Sequence, residues 1–305
     1  MKPLSIVIIT YNRPEDALLL AENISRQQGL EELLEEVILV NNHSSLSYQS
    51  LESYIAAHPE IPFRYFALSE NLGVSRGRNY AIRQSKAPIL VFLDDDALFH
   101  TPDALMAIVT LFREEEEAGR RAGLAAFKVY YYDTMEMQKN AFPSKRYRER
   151  KDWPHFDAAY FSGCAHAIRR SVFDEVGYYP ENFFYGMEEY DLSYRAVEAG
   201  WSIRYDDRVV VLHKESPGGR LTRREKLRGM WVNKSKVAWK YLPKIDFYTT
   251  ALLWSLRYLL LSKGDVGGFR NGWKEIGQIS STEKRRPLNA GALSYLKKVK
   301  ARLWY

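Results

Sequence analysis

Pro88-Ile89-Leu90-Val91-Phe92-Leu93-Asp94-Asp95-Asp96-Ala97-Leu98 runs five apolar residues straight into three adjacent carboxylates. The apolar run is too short for a helix and has the length of a strand buried on both faces. Unpaired carboxylates are costly inside such a strand, so it is expected to end at Leu93 with the acids at its C-terminal tip. In an open parallel sheet that edge is where ligands bind. Three hard oxygen donors packed together repel one another unless a cation sits among them, and Mg2+ or Mn2+ carrying a diphosphate suits them. The same residues also fit a polar turn with Asp96 or Asp103 capping the next helix.

The segments before this stretch alternate strand and helix. Leu4 to Thr10 reads as a buried strand, broken by Tyr11-Asn12-Arg13-Pro14, and Pro14 suits the first turn of a helix over about 14–28 that Gly29 stops. A strand over 36–40 runs into the polar turn Asn41-Asn42-His43-Ser44-Ser45. A helix over 47–58 and a short strand over 63–68 follow. Asn71 to Asn79, with Gly73 and Gly77, leads into a helix to about Ser85. Its spacing is neither a dinucleotide fingerprint nor a P-loop, and its glycines also fit a plain loop and cap. The alternation predicts a mostly parallel sheet with both faces covered. Its polar strand ends would then share one crevice: Thr10, Tyr11, Asn12, Arg13, Asn41, Asn42, Arg76, Arg78, Asp94, Asp95 and Asp96. Arginines facing aspartates across a crevice suit a metal-bridged nucleotide diphosphate.

Downstream, residues 103–122 read as a helix and 124–132 as a strand. Residues 133–156 read as a long flap in which Trp153 and His155 either stack on a ligand or pack on the core. Residues 160–168 are strand-like and a short helix runs to Val176. Glu188-Glu189-Tyr190-Asp191 opens a helix stopped by Gly200, a place where the helix dipole favours acids for purely structural reasons as well. Two short strands, 201–205 and 209–212, follow. The second ends at His213, a candidate metal ligand at a strand tip where a histidine is also often just a surface residue.

The chain has 305 residues and 46% hydrophobic composition, enough for one large α/β domain and an appendage. A single cysteine, Cys164, excludes a disulfide framework or a cysteine zinc site within one chain and fits a reducing compartment. The N-terminus opens directly on a strand, with no signal-peptide pattern expected before it. Residues 214–305 carry 21 Lys and Arg against 6 Asp and Glu, whereas the first 213 residues are acidic overall. This tail begins with the loop Pro217-Gly218-Gly219-Arg220. It then reads as a basic amphipathic helix over 225–242 and an apolar helix over 247–262, interrupted by Arg257 and too short to span a bilayer. Such a tail fits either a helix lying at a membrane surface or an ordinary packing or dimer helix.

In order and spacing, these pieces resemble the inverting family 2 glycosyltransferases with the GT-A fold, including bacterial polysaccharide and rhamnosyltransferase-like members, over about residues 3–215. The resemblance rests on Ser5 to Arg13, Val40 to Ser44, Asn71 to Asn79, the Asp94-Asp95-Asp96 triplet, Gly163 to Arg170, Gly177 to Phe184, Glu188 to Leu192, and His213. It implies a GT-A domain over 1–215 and a helical extension over 216–305. It also implies a hexosyl- or deoxyhexosyltransferase that moves a sugar from a UDP- or dTDP-linked donor to a glycan or lipid-linked acceptor.

By the same resemblance, Thr10, Asn12, Arg13 and Asn41 contact the nucleoside, Arg78 is a cationic nucleotide contact, and Gly163 belongs to the donor site. Asp94 and Asp96 take the places of the family's DxD aspartates, so Asp94, Asp96 and His213 are the candidate metal ligands, Asp96 and His213 the better placed for direct ligation. Glu188 and Glu189 match the family's Glu-Asp pair, which makes Glu189 the catalytic base. The family usually has Asp where this chain has Asn41, and Asp where it has Glu189, so Asp191 is a second candidate for the base. A cytoplasmic location is expected, with peripheral membrane contact through the tail and no nucleic-acid partner. Two other classes share some of these features: a sugar nucleotidyltransferase, and a non-catalytic protein binding nucleotide sugar or nucleic acid.

Overall fold

The computed structural model describes all residues except Arg220, Arg302, Trp304 and Tyr305, so one residue of the Pro-Gly-Gly-Arg loop and part of the basic tail's end lie outside it. The elements in order are β1 (Leu4–Thr10), α1 (Pro14–Ser25), α2 (Leu30–Leu33), β2 (Leu34–Asn41), α3 (Gln49–Ala57), β3 (Phe63–Ala67), α4 (Gly73–Gln84), β4 (Ile89–Asp94) and β5 (Ala97–Phe99). They continue with α5 (Ala104–Glu117), β6 (Ala122–Tyr131), α6 (Tyr147–Arg150), β7 (His155–Ala158), β8 (Ala165–Arg169), α7 (Arg170–Val176), α8 (Glu188–Glu198) and β9 (Ser202–His213). Four helices close the chain: α9 (Arg223–Tyr241), α10 (Lys244–Leu261), α11 (Val266–Thr282) and α12 (Ala290–Lys298).

The described strands form one sheet in the order β3-β2-β1-β4-β8-β6-β9-β5, with β7 alongside β9. The first four are parallel, as the alternation predicts. Their apolar runs serve two cores because successive side chains point to opposite faces. Ile6, Ile8, Val91 and Leu93 pack with α1 and α5 on one face. Val7, Leu90 and Phe92 pack with α4, α7 and α8 on the other, in a core that also takes in Trp231 and Tyr258 of the tail.

Beyond β4 the directions change. β8 lies antiparallel between β4 and β6, so its entry, not its exit, sits at the edge where β4 ends, and Asp94 N–H donates to Cys164 O at 2.9 Å. β9 runs parallel to β6 and brings His213 to that same edge. The two strands expected over 201–212 are this one strand, irregular where Phe127 and Lys128 pair across from Asp206 and Val210. β5 is a three-residue strand the sequence reading missed. It turns back beside β9, pairs Ala97 with His213, and so sets Asp96 next to the imidazole. The helix expected over 103–122 stops at Glu117, and β6 starts at Ala122. The glycine segment is itself the start of α4.

The flap expected over 133–156 is packed, with Ala141 and Phe142 buried and α6 and the start of β7 inside it. Trp153 lies edge-on to Phe156 under Arg150 and is not among the residues that line the cleft described below.

α8 and α9 are joined through Asp191. Its carboxylate accepts from Arg195 Nε at 2.8 Å, from Tyr241 Oη at 2.8 Å and from Lys240 Nζ. Burial alone would raise this carboxyl, but Arg195, Lys240 and the hydrogen bonds outweigh it and hold it below the ordinary carboxylate range. The stabilisation is therefore complete above an ordinary carboxylate pKa of about 4 and is lost as pH falls through the lowered value. Asp191→Ala strands two cations, so it should destabilise the fold by about 3–5 kcal/mol, read by denaturant unfolding at neutral pH. The deficit should shrink in acid.

Candidate active site

A cleft of about 760 Å³ opens along the edge where β1, β4, β6 and β9 end and β8 begins. Tyr11, Asn12, Arg13, Asn42, Arg78, Asp94, Asp95, Gly163, Glu188, Glu189 and His213 all line it. Asp96 sits just behind this lining, 1% exposed. Residues as far apart as Tyr11 and His213, about two hundred positions, thus converge because parallel strands end together.

Two arginines hold the acids in place. Arg78, on α4 and 5% exposed, donates to Gly163 O at 2.7 Å, Asp94 Oδ1 at 3.2 Å and Glu188 Oε1 at 3.3 Å. Burial lowers its pKa, yet the acids around it outweigh burial and raise it, so it stays charged. Arg13 donates to Asp95 Oδ1 at 2.7 Å and lies 3.1 Å from Asp96 Oδ2. Burial still pushes Asp95 up to about 7, with Arg13 opposing and Asp96 adding repulsion.

Asp94, Asp96 and His213 place one donor atom each within 4.8 Å of one another. Opposite ligands of a small divalent cation lie about 4 Å apart, so this donor set needs only a slight contraction to close on one. His213 Nδ1 lies 2.9 Å from Gln138 Oε1, which can only accept. Nδ1 therefore carries a proton, and Nε2 faces Asp96 Oδ1 at 3.3 Å, the direction in which a metal-ligating histidine points. Two carboxylates and an imidazole aligned this way fit a divalent cation.

The other acids lie at the start of α8. Gly186 and Met187 both adopt positive φ, 82° and 73°, and this turn aims the first helical residues into the cleft. Glu188 is buried against Arg78, and burial raises it despite that partner. Glu189 is pushed up to about 8, first by burial and then by the neighbouring Glu188 charge. Gly163 passes so close that a Cβ there would lie 2.2 Å from Glu189 Oε1.

Several expected residues are placed otherwise. Thr10 is fully buried, its hydroxyl 2.6 Å from Tyr48 Oη, and Asn41 spends its amide on Tyr65 Oη and Ser44 N. Both support the cleft from behind. Asn42 lines the cleft as expected and also clamps the turn before α4 through Asn71 and Leu72. Arg76 points outward to an exposed pair with Glu70 and is not brought to the cleft. Asp191 faces α9, on the side of α8 turned away from Glu189, and is not placed to take a proton in the cleft.

The sequence reading also missed part of the wall. Gln138 orients His213 from inside the flap, a role no local pattern signals. Tyr160 and Tyr190 stack at 4.6 Å in the cleft wall. Leu221, Thr222, Glu225, Lys226, Met230 and Lys234, from the tail, line it as well.

The chain belongs to glycosyl transferase family 2, whose profile matches residues 5–177. An uncharacterized protein of Haemophilus influenzae is 28% identical over 178 residues, which is 58% of this chain and 92% of that protein. N-acetylgalactosaminyltransferase 6 of Drosophila melanogaster is 27% identical over 205 residues, and the match spans 63% of this chain but only 31% of that longer protein. Among solved structures, the mannosyltransferase PcManGT from Pyrobaculum calidifontis, in complex with GDP-Man and Mn2+, superposes with a TM-score of 0.60 at 16% identity, covering 98% of this chain and 79% of that one. The architecture they share is the GT-A fold. The protein is accordingly a glycosyltransferase by family and fold.

The family profile ends before α8 and His213, and Glu188, Glu189 and His213 lie in the cleft by their geometry in the fold. Gly163→Ala should displace the Glu189 carboxylate and cost about 1–3 kcal/mol in stability through overpacking, seen by denaturation and in the variant's crystal structure.

Proposed function

We propose that this protein transfers a hexose or deoxyhexose from a nucleoside-diphosphate sugar, UDP- or dTDP-linked, to a hydroxyl of a glycan or lipid-linked acceptor, with inversion. The observation that carries this reading is the convergence of Glu189, Arg78 and the Asp94-Asp96-His213 donor set on one cleft. In this reading Asp94, Asp96 and His213 hold a divalent cation, which when bound neutralises charge on the leaving diphosphate. Arg13 keeps Asp95 and Asp96 in position, and Arg78 adds fixed positive charge beneath the phosphates.

Glu189 accepts the proton of the acceptor hydroxyl as its oxygen bonds to the anomeric carbon and the bond from that carbon to the diphosphate breaks. A single displacement needs no enzyme nucleophile. The tyrosine pair and the tail residues form the acceptor wall. A role in surface polysaccharide or glycolipid synthesis, at the cytoplasmic face of a membrane, completes the proposal.

The full chain with Mn2+, offered a panel of UDP-, dTDP- and GDP-linked sugars, should turn over at least one of them. Glu189→Gln should lower kcat by about 10²–10⁴-fold with donor binding retained. Release of pyrophosphate from a nucleoside triphosphate would instead make it a nucleotidyltransferase.

Because the base must be ionised and its pKa is pushed to about 8, kcat/KM should rise with pH through that value, and Glu188→Gln should move the rise to lower pH. Gln138→Leu leaves all three ligands in place but frees the imidazole to turn. Calorimetric titration should show Mn2+ affinity weakened about 10–100-fold.

A further inference from the structure

α10 carries large apolar side chains on two faces, one buried and one exposed. Its inner face, with Phe247, Ala251, Trp254 and Tyr258 buried, packs on α9, where Trp231 Nε1 donates to Ala251 O at 2.9 Å. Its outer face recurs every three or four residues as Ile245, Tyr248, Leu252, Leu256 and Leu260, with Leu253 beside it. These six account for a large share of the exposed large apolar side chains among the described residues, and Leu260 is 79% exposed. A contiguous exposed apolar patch of this kind marks a binding surface.

The charges around the stripe indicate what covers it. Lys244 and Lys263 flank its two ends and Arg257 its side, all exposed, against the half-buried Asp246 as the one acid on the helix. A second copy seated on this face would set Lys244, Arg257 and Lys263 of both chains near one another, which repels. A sheet of anionic phospholipid headgroups accepts all three while its acyl region takes the leucines. At 18 residues with Arg257 inside it, α10 is not long and apolar enough to cross a bilayer. It can lie in the interface with its basic side chains reaching up to the headgroups.

We propose that the outer face of α10 docks this protein on an anionic phospholipid surface. Lys234, on the cleft wall, lies 4.4 Å from the centre of the Trp254 ring on the inner face of α10. The cleft's acceptor side therefore stands one helix away from the docked face. This inference rests on the transferase reading only for its purpose, since docking itself needs no turnover.

Co-sedimentation of the full chain with phosphatidylcholine vesicles, with and without phosphatidylglycerol, tests it. Binding should require phosphatidylglycerol and weaken at high salt. The variant Leu252→Ser/Leu256→Ser/Leu260→Ser should bind more than about tenfold more weakly, with an unchanged melting curve and unchanged turnover of a soluble nucleotide sugar. Glu189→Gln should still bind vesicles, so loss of catalysis and loss of docking are separable. Wild-type protein that ignores phosphatidylglycerol, a variant that binds as wild type, or a wild-type dimer that the variant dissolves would each overturn the proposal.

Discussion

The site is held together by one buried guanidinium. Five carboxylates collect at a single sheet edge, and without compensation their mutual repulsion and desolvation would push that edge apart. Arg78 enters from α4 and is fixed by Asp94 from β4, Glu188 from α8 and the Gly163 carbonyl ahead of β8. One cation thus ties together three elements that the sheet topology only brings near each other. Arg13 does the same on a smaller scale for Asp95 and Asp96. The charge left over is what a divalent cation and a diphosphate can satisfy.

Much of this was legible in the sequence because it follows from local physics. The parallel half of the sheet, the acids at the tip of β4, the histidine at the end of β9 and the helix opening at Glu188 each rest on apolar runs meeting polar residues or helix stops. What escaped was nonlocal. Asp191 differs from Glu189 by two positions, and on a helix that turns its side chain about 200° away, toward partners found only by folding the tail. Arg76 and Arg78 are separated by the same interval with the same result, one buried in the site and one in solvent. β5 is too short to carry a period, and Gln138 gains its role only because the turn after β6 brings it beside His213.

The opposite placement of these pairs shows how the helices are used. α4 and α8 each present one face to the cleft and the other to solvent or to the tail. The cleft face carries charge that is costly to bury, and the far face carries the packing that supports it. Asn79 illustrates this on α4, exchanging hydrogen bonds with the Tyr179 backbone at 2.9 and 3.0 Å and so tethering the aromatic loop that leads to α8.

The clasp between Asp191, Lys240 and Tyr241 has an evolutionary corollary. The helix that aims Glu189 is the same rigid body that grips the C-terminal helices, so the reacting end and the wall opposite it keep a common frame. A lineage that exchanged this tail for another, to serve a different acceptor, would have to bring matching partners for Asp191 or lose the aim of the first turn. Diversification should then proceed by altering residues along the inner wall of α9 rather than by replacing the helices wholesale.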